Sequence, residues 1–396
     1  MRTTGILIDM SRYFDTRELL VKYPTARYFY ILAGRSVGKT YPTIKLAIED
    51  AIDGKGIFAY IRRYKETISE RNMVALMAPH NVWISKKTNG EWNRIGYWRH
   101  IFYLEKWEEA GPDNWVRVAR RPTPIGAVWA INTWENDKGP DFGADKGGFS
   151  HIILDEAKSK GGDYIKNEWD NYQNVIATLI RDRWEQDTKL WLLANPVSKF
   201  NDPYTRNLGI TKKMQQKPGT TYIEYPPDRG KQSLMSCVYC YIATTDGGDI
   251  DETRTNLYNR FFAFPNSKGK SKSITHGFWE MDDANTLPSG VYKESTKNRT
   301  IFLTFGEELL AIDVMRYDPT GIYYLFLYPT DRIRDKCYFI TLGMTLSKYG
   351  IIGLKTGHPI AELINKIYKT GQVYYADNMT ADVFHGFLKE AVNRRI

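Results

Sequence analysis

The stretch from Ile31 to Ile52, ILAGRSVGKTYPTIKLAIEDAI, constrains this chain more than any other. It reads as a buried strand, a tight turn and an amphipathic helix. Arg27 to Leu32 (RYFYIL) is aromatic and aliphatic, as a strand covered on both faces requires. Ala33, Gly34, Arg35, Ser36, Val37, Gly38, Lys39 and Thr40 fit G-x-x-x-x-G-K-[ST] except at the first position, where Ala replaces Gly. Backbone N–H groups in such a turn converge on a phosphate, and the helix N-terminus adds its dipole. Lys39 adds a point charge, and the Thr40 hydroxyl can bind Mg²⁺. Pro42 falls in the first helical turn, where its missing N–H costs nothing. Ile44, Ala47, Ile48, Ala51 and Ile52 then recur at helical spacing. An empty Gly-rich turn would not explain the Gly38-Lys39-Thr40 triplet, because Lys has no packing reason to close it.

A second GKS, Gly269-Lys270-Ser271, shows the importance of context. Phe264 stands where its first Gly belongs, and its NSKGKSKS flanks are polar, with no strand before and no apolar helix after. It reads as a solvated basic loop.

A triphosphate site needs a carboxylate on a neighbouring strand for Mg²⁺ and a base to orient water. His151-Ile152-Ile153-Leu154-Asp155-Glu156 offers both. Its apolar run suits a parallel strand, and Asp155 then falls at the carboxyl end, where open α/β sheets bind ligands. Glu156 follows at once, as in P-loop ATPases that place the catalytic Glu directly after the metal-side Asp. The alternative is an Asp-Glu surface turn after an ordinary strand. Lys189 to Ala194 (KLWLLA) predicts a third strand, ending in Asn195-Pro196. Asn195 there can sense the γ-phosphate, or it can serve only as turn chemistry.

The chain has 396 residues, enough for two or three domains, and a net charge of +9, compatible with a polyanionic partner. No run of about 18 apolar residues occurs, so no membrane span is expected, and early charges argue against a signal peptide. Cys237-x-x-Cys240 lacks a second pair with which to hold zinc. Within CVYCYI these read as buried reduced thiols, which points to a reducing cytoplasm. Asp141-Phe142-Gly143 spells a kinase motif, but no His-Arg-Asp loop precedes it. The segment reads instead as a Gly-rich loop leading into the acidic strand.

Residues 1–228 alternate strand and helix, which argues a parallel α/β sheet. Ile57–Ile61 and Ala127–Ile131 add strands, and Val82–Trp115 suggests a twisted hairpin insertion. Arg62-Arg63-Tyr64-Lys65 follows the first of these strands as a basic cluster. Residues 229–288 are broken by Pro and Gly and read as a small linker domain. Residues 289–396 read as an α+β domain, with strands at Thr300–Phe305, Leu309–Val314 and Gly321–Leu327 and a terminal helix.

Taken in order, the phosphate loop with its Arg35, the IRRYK strand end, the LDE strand, the RDR element and Asn195 to Tyr204 (NPVSKFNDPY) resemble a known family. It is that of the DNA-packaging ATPases, or encapsidation proteins, of small podophages with protein-primed genomes (Picovirinae type), relatives of the large terminases. The resemblance covers residues 28–228 well and the remainder loosely. It implies an ASCE-type P-loop NTPase domain, a linker, and a C-terminal RNase H-like domain. It also implies a motor powered by ATP and Mg²⁺ that pushes double-stranded DNA through a portal into a preformed procapsid. The partners would be a homo-oligomeric ring, a pentamer, and a packaging RNA. The place of work would be the host cytoplasm, docked on the procapsid and away from membranes.

Such rings supply an arginine to the neighbour's γ-phosphate. Arg181 is the first match and Arg183 the second, although both also suit a solvated basic helix end. Arg62, Arg63 and Lys65 are the expected DNA contacts, or else the cluster packs against the sheet edge or carries inter-subunit salt bridges. Asp313, Asp318, Asp377 and Asp382 are the acidic candidates of the C-terminal domain, with Asp313 at the expected first-strand position. No third partner emerges, and the domain reads as a vestigial nuclease that does not cut. The alternatives are a terminase with an active nuclease, a ring helicase, and a regulatory nucleotide-binding module without motor activity.

Overall fold

The computed structural model describes residues 14–34, 38–112, 114–137, 148–159, 164–181, 187–197, 202–211, 214–215, 218–225, 236–242, 285–288, 290–305, 308–331, 338–341, 352–353 and 359–393. Helix α1 (Thr16–Lys22) starts where the Asp15 carboxylate accepts from the Arg17 N–H. Strand β1 (Tyr28–Ala33) is buried at every position. It feeds helix α2 (Thr40–Ile52), which returns to β2 (Ile57–Arg62). Helix α3 (Glu70–Met77) is capped by Ser69, and a short 3-10 turn joins it to α4 (Asn81–Lys87). Three antiparallel strands follow: β3 (Arg94–Trp98), β4 (Ile101–Gly111) and β5 (Asn114–Arg120). The chain then returns to the sheet with β6 (Gly126–Ala130) and β7 (Phe149–Asp155). Helix α5 (Glu168–Ile180), β8 (Lys189–Ala194), α6 (Pro203–Asn207), β9 (Gly219–Glu224) and β10 (Ser236–Ile242) complete the first unit.

The resulting sheet has ten strands, ordered β3-β4-β6-β2-β7-β8-β1-β10-β9, with β5 paired to β4. The six strands from β6 to β10 run parallel, and the outer ones are antiparallel. Alternation in β1 explains why both faces are filled. Tyr28, Tyr30 and Leu32 join the core beneath α5, whereas Phe29 and Ile31 join the core beneath α2. Gly126 pairs with Phe58 in register, and a Cβ there would lie 2.6 Å from the Phe58 ring, so only glycine admits that aromatic.

Two expectations change. The first sheet runs beyond residue 228, because β10 lies parallel to β1 and supplies its second neighbour. Strand adjacency of this kind joins residues more than 200 positions apart and leaves no local sequence signal. The linker expected at 229–288 loses 236–242 to this sheet. Its residues 243–284, with the second GKS, lie outside the described residues, as does Asp141-Phe142-Gly143. Residues Asn285 and Thr286 meet Tyr375 of the C-terminal sheet.

The C-terminal unit has a six-stranded sheet. Its strands are β11 (Ser295–Phe305), β12 (Glu308–Tyr317), β13 (Ile322–Pro329), β14 (Tyr338–Thr341), β15 (Ile352–Gly353) and β16 (Val373–Tyr375). The order is β15-β14-β11-β12-β13-β16. The first three strands in sequence pair antiparallel, β14 and β15 run parallel on the β11 side, and β16 runs parallel to β13. Helices α7 (Pro359–Lys369) and α8 (Asn378–Asn393) follow, and Ile367, Val383, Phe384 and Phe387 pack with the apolar side of this sheet. Among the described residues no helix is long and apolar enough to cross a membrane.

Candidate nucleotide site

The phosphate-loop strand, the acidic strand and the Asn-Pro strand all end on one side of the first sheet. Strand β8 lies between β1 and β7, so the sheet carries the extra strand that the ASCE grouping denotes. Gly38 adopts φ +90°, which glycine permits at no steric cost. The next residue, Lys39, is already helical in backbone and opens α2. Its side chain is buried, and Nζ donates to Asn195 Oδ1 at 2.6 Å and to the Ala33 carbonyl at 3.3 Å. The cation is thus held between the ends of β1 and β8. Thr40 is the first residue of α2. Thr43, one turn on, donates to the Lys39 carbonyl at 2.8 Å and meets Thr16 Oγ1 at 3.0 Å. Ala33 and Gly34 end the strand in buried positions, whereas Arg35, Ser36 and Val37 lie outside the described residues.

Asp155 closes β7. Its Oδ2 accepts from the Tyr60 hydroxyl at 2.7 Å and from Arg62 at 3.3 Å. Glu156 has φ +59°, an unusual region for a residue with a Cβ. Its side chain is 56% exposed, and Oε2 accepts from Arg62 at 2.8 Å. Arg62 therefore bridges both carboxylates. Burial opposes its charge, but the Glu156 and Asp155 carboxylates beside it outweigh that cost and raise its pKa. Burial, reinforced by Asp155, raises the Tyr60 pKa well above 10, so the phenol stays protonated as a donor. Tyr60 was not legible as a site residue. It is an apolar-looking strand position, and its partner lies 95 residues away.

The basic cluster is divided. Arg63 is buried, and its Nε donates to both Glu168 oxygens at 3.0 and 2.9 Å. Its Nη2 donates to the Ala157 carbonyl at 2.9 Å, and Tyr204 donates to the same Glu168 at 2.7 Å. Arg63 ties the end of β2 to Glu168 of α5, which also accepts from Tyr204 of α6, and its guanidinium is buried. Arg62 is likewise engaged with carboxylates, which leaves Lys65 as the exposed cation of the three. A second buried set lies nearby: Lys158 donates to Asp202 at 2.6 Å and Tyr30 donates to it at 3.0 Å. Asp202 also caps α6 through the Tyr204 and Thr205 N–H groups. These networks tie Ala157 and Lys158, just after β7, to the start of α5 and to Asp202 at the cap of α6.

Arg181 ends α5, at φ 42°. That helix starts at Glu168, beneath the site, and its thirteen residues carry the chain about 20 Å away. Arg181 thus lies toward the amino ends of the strands, where Asp187 pairs with Arg27 at 3.2 Å. Arg183 lies outside the described residues. Cys237 and Cys240 are buried, free thiols three apart on β10. They belong to opposite cores and so cannot share one metal ion. Burial pushes Cys237 up to about 12 and Cys240 up to about 11.

In the C-terminal sheet Asp313 is fully buried in the middle of β12. Lys297 Nζ lies 2.7 Å from Oδ2, Thr300 donates to Oδ1 at 2.5 Å, and Tyr292 donates to Oδ2 at 3.4 Å. Asp318 accepts from Thr296, Asp377 accepts from the Thr380 N–H and hydroxyl, and Asp382 is buried on α8. Among the described residues no group of three or more His, Cys, Asp or Glu is placed to hold a metal ion.

No family model matches the sequence, and no curated protein does. Solved structures do match. Superposition on the bacteriophage Phi-29 viral genome packaging motor assembly gives a TM-score of 0.57 at 15% identity, over 96% of this chain and 99% of that one. The chain has the packaging-motor fold. The Phi-28 gp11 DNA packaging motor matches at a TM-score of 0.48 and 16% identity, over 96% and 98% of the two chains. A large terminase from a thermophilic bacteriophage matches at 0.35 and 10%, over 94% and 90%. The packaging-motor likeness spans both sheets described above.

Proposed function

We propose that the protein is an ATP-driven motor that moves double-stranded viral DNA through a portal into a procapsid. The observation that carries this reading is the meeting of Lys39, Asn195, Asp155 and Glu156 at the ends of β1, β8 and β7, in a chain with the packaging-motor fold. Lys39 would hold the β/γ-phosphates, with the backbone of residues 33–40 around them. Thr40 and Asp155 are oxygen donors of the kind Mg²⁺ takes, and two of them suffice when phosphate oxygens and water complete the shell. When bound, Mg²⁺ neutralises charge on the transferring phosphoryl group. Glu156 would orient the attacking water and accept its proton. Arg62 now supplies the positive charge those carboxylates face, and it must yield part of that contact when the metal and nucleotide enter.

The distance of Arg181 from its own phosphate loop supports a role in the neighbouring subunit of a ring, with Arg183 next in line. Lys65 is the remaining candidate for phosphate contact with DNA. For the C-terminal unit, three antiparallel strands with two parallel strands beside the first suit an RNase H-like domain. The Lys297–Asp313 pair suits one that does not cut. A pentameric ring, a packaging RNA and a portal contact complete the proposal, with the protein at work on the procapsid in the host cytoplasm.

The test is ATP turnover with and without duplex DNA. Stimulation by duplex without strand separation supports a translocase, strand separation would indicate a helicase, and no stimulation a regulatory module. Mixing Arg181→Ala with Lys39→Ala subunits, each inactive alone, should restore partial turnover, since some interfaces then pair an intact loop with an intact arginine. No rescue in demonstrably mixed rings would place Arg181 outside the trans role.

A further inference from the structure

The hairpin of β4 and β5 extends beyond the sheet that anchors it. Every residue described in β5 from Asn114 to Ala119 is exposed, as are Glu108 to Ala110 on β4. A two-stranded ribbon has little stability of its own in water. Yet this one carries apolar groups into solvent: Trp115 is 53% exposed and Val118 50%. Between the ribbon and α4 lies a cleft of about 480 Å³. Asn81, Ser85, Lys86, Arg94, Trp107 and Trp115 line it, and none of its lining residues is a carboxylate. The Arg94 guanidinium stacks on the Trp107 ring at 4.4 Å. Asn93 fixes the Trp107 backbone in both directions, accepting from its N–H at 2.9 Å and donating to its carbonyl at 2.7 Å. Trp107 Nε1 donates to Glu105, itself held by Arg117 and Arg120. One wall is therefore rigid, and the Trp115 wall is open.

We propose that this cleft binds an unpaired nucleotide of a single-stranded nucleic acid. Its size is that of a small-ligand site. The exposed Trp115 indole offers a stacking face, which every base can use, the Trp107 ring with Arg94 stacked on it forms the opposite wall, and Lys86 and Arg94 offer charge to the adjoining phosphate. An acidic peptide would find the same cations but would leave the indole faces without flat partners. The cleft belongs to an insertion outside the six parallel strands, so it is separate from the nucleotide site at Lys39 and stands whether or not that site drives DNA.

The experiment is tryptophan fluorescence titration of the full chain with uridine and deoxythymidine oligomers of about ten nucleotides, a blunt duplex and a polyglutamate peptide. Single-stranded oligomers should quench saturably. Trp115→Ala should weaken that binding by about tenfold or more, Trp115→Phe should retain most of it, and Lys86→Glu should weaken it further at low salt. Comparison of the two oligomers tells RNA from DNA as the source of the unpaired base. ATP turnover, measured on the same samples, should not change. Equal binding by wild type and Trp115→Ala would overturn the proposal. So would tighter binding of the peptide, or a loss of duplex binding equal to the loss for single strands.

Discussion

Asp155 and Asp313 are both aspartates on sheet strands beside a cation, and they differ in every property that matters for chemistry. Asp155 ends its strand, next to the exposed Glu156, and the bridging Arg62 contacts it at 3.3 Å. Asp313 sits mid-strand with no exposure, held by Lys297 at 2.7 Å and by Thr300 and Tyr292. A carboxylate at a strand tip can exchange its cation for a metal, because water and ligand can reach it. A carboxylate locked within a strand has already had its charge answered. Lys297 stays protonated there: burial disfavours its charge, but the Asp313 contact outweighs that cost and raises its pKa.

The largest difference should appear in turnover. Glu156→Gln should lower ATP hydrolysis by about 10²-fold or more while sparing nucleotide binding, since the amide cannot take a proton. Asp313→Asn should leave turnover near wild type. Steady-state rates beside nucleotide-binding titrations check this, and equal losses from both variants would erase the distinction between the two sheets.

Stability should respond in the reverse sense. Lys297→Met strands a buried carboxylate and should cost about 3 kcal/mol in the unfolding of the C-terminal unit. Arg62→Met leaves Asp155 still bonded to Tyr60 and Glu156 open to water, and should cost less, about 1 to 2 kcal/mol. Denaturant melts would measure both. Lys297→Met should also create no metal-dependent DNA cutting.

A smaller effect concerns pH. His80 is buried and stacked on Tyr41 at 4.4 Å. Burial, followed by the charge of Lys45, lowers its pKa from 6.5 to about 4. A lowered folded value means that His80 favours folding fully above about pH 6.5. That contribution falls as acid protonates the unfolded chain, and it is gone below about pH 4. At most about 3 kcal/mol is at stake. His80→Gln should flatten the stability profile between those limits, and an unchanged slope would remove His80 as its source.

The site was legible where chemistry and local pattern coincide. Asp155 and Asn195 each sit at the end of an apolar strand, where a change of residue type announces it, and Lys39 opens the helix that follows such a strand. The partners of the arginines were not legible. Arg62 and Arg63 are adjacent and alike in sequence, yet β2 hands one to the carboxylates of β7 and the other inward to Glu168, 105 residues away. Only strand order decides that, and strand order also hides the return of β10 to the side of β1. The Cys237–Cys240 pair shows the opposite case. Period-two alternation alone sends the two thiols to opposite faces, whatever the neighbours.

The most direct measurement follows ATP and DNA in one reaction with Mg²⁺. The account predicts ATP hydrolysis stimulated by duplex DNA, abolished by Lys39→Ala, with the duplex intact throughout. Hydrolysis indifferent to DNA, or a duplex cut in a manner that Asp313→Asn prevents, would contradict it.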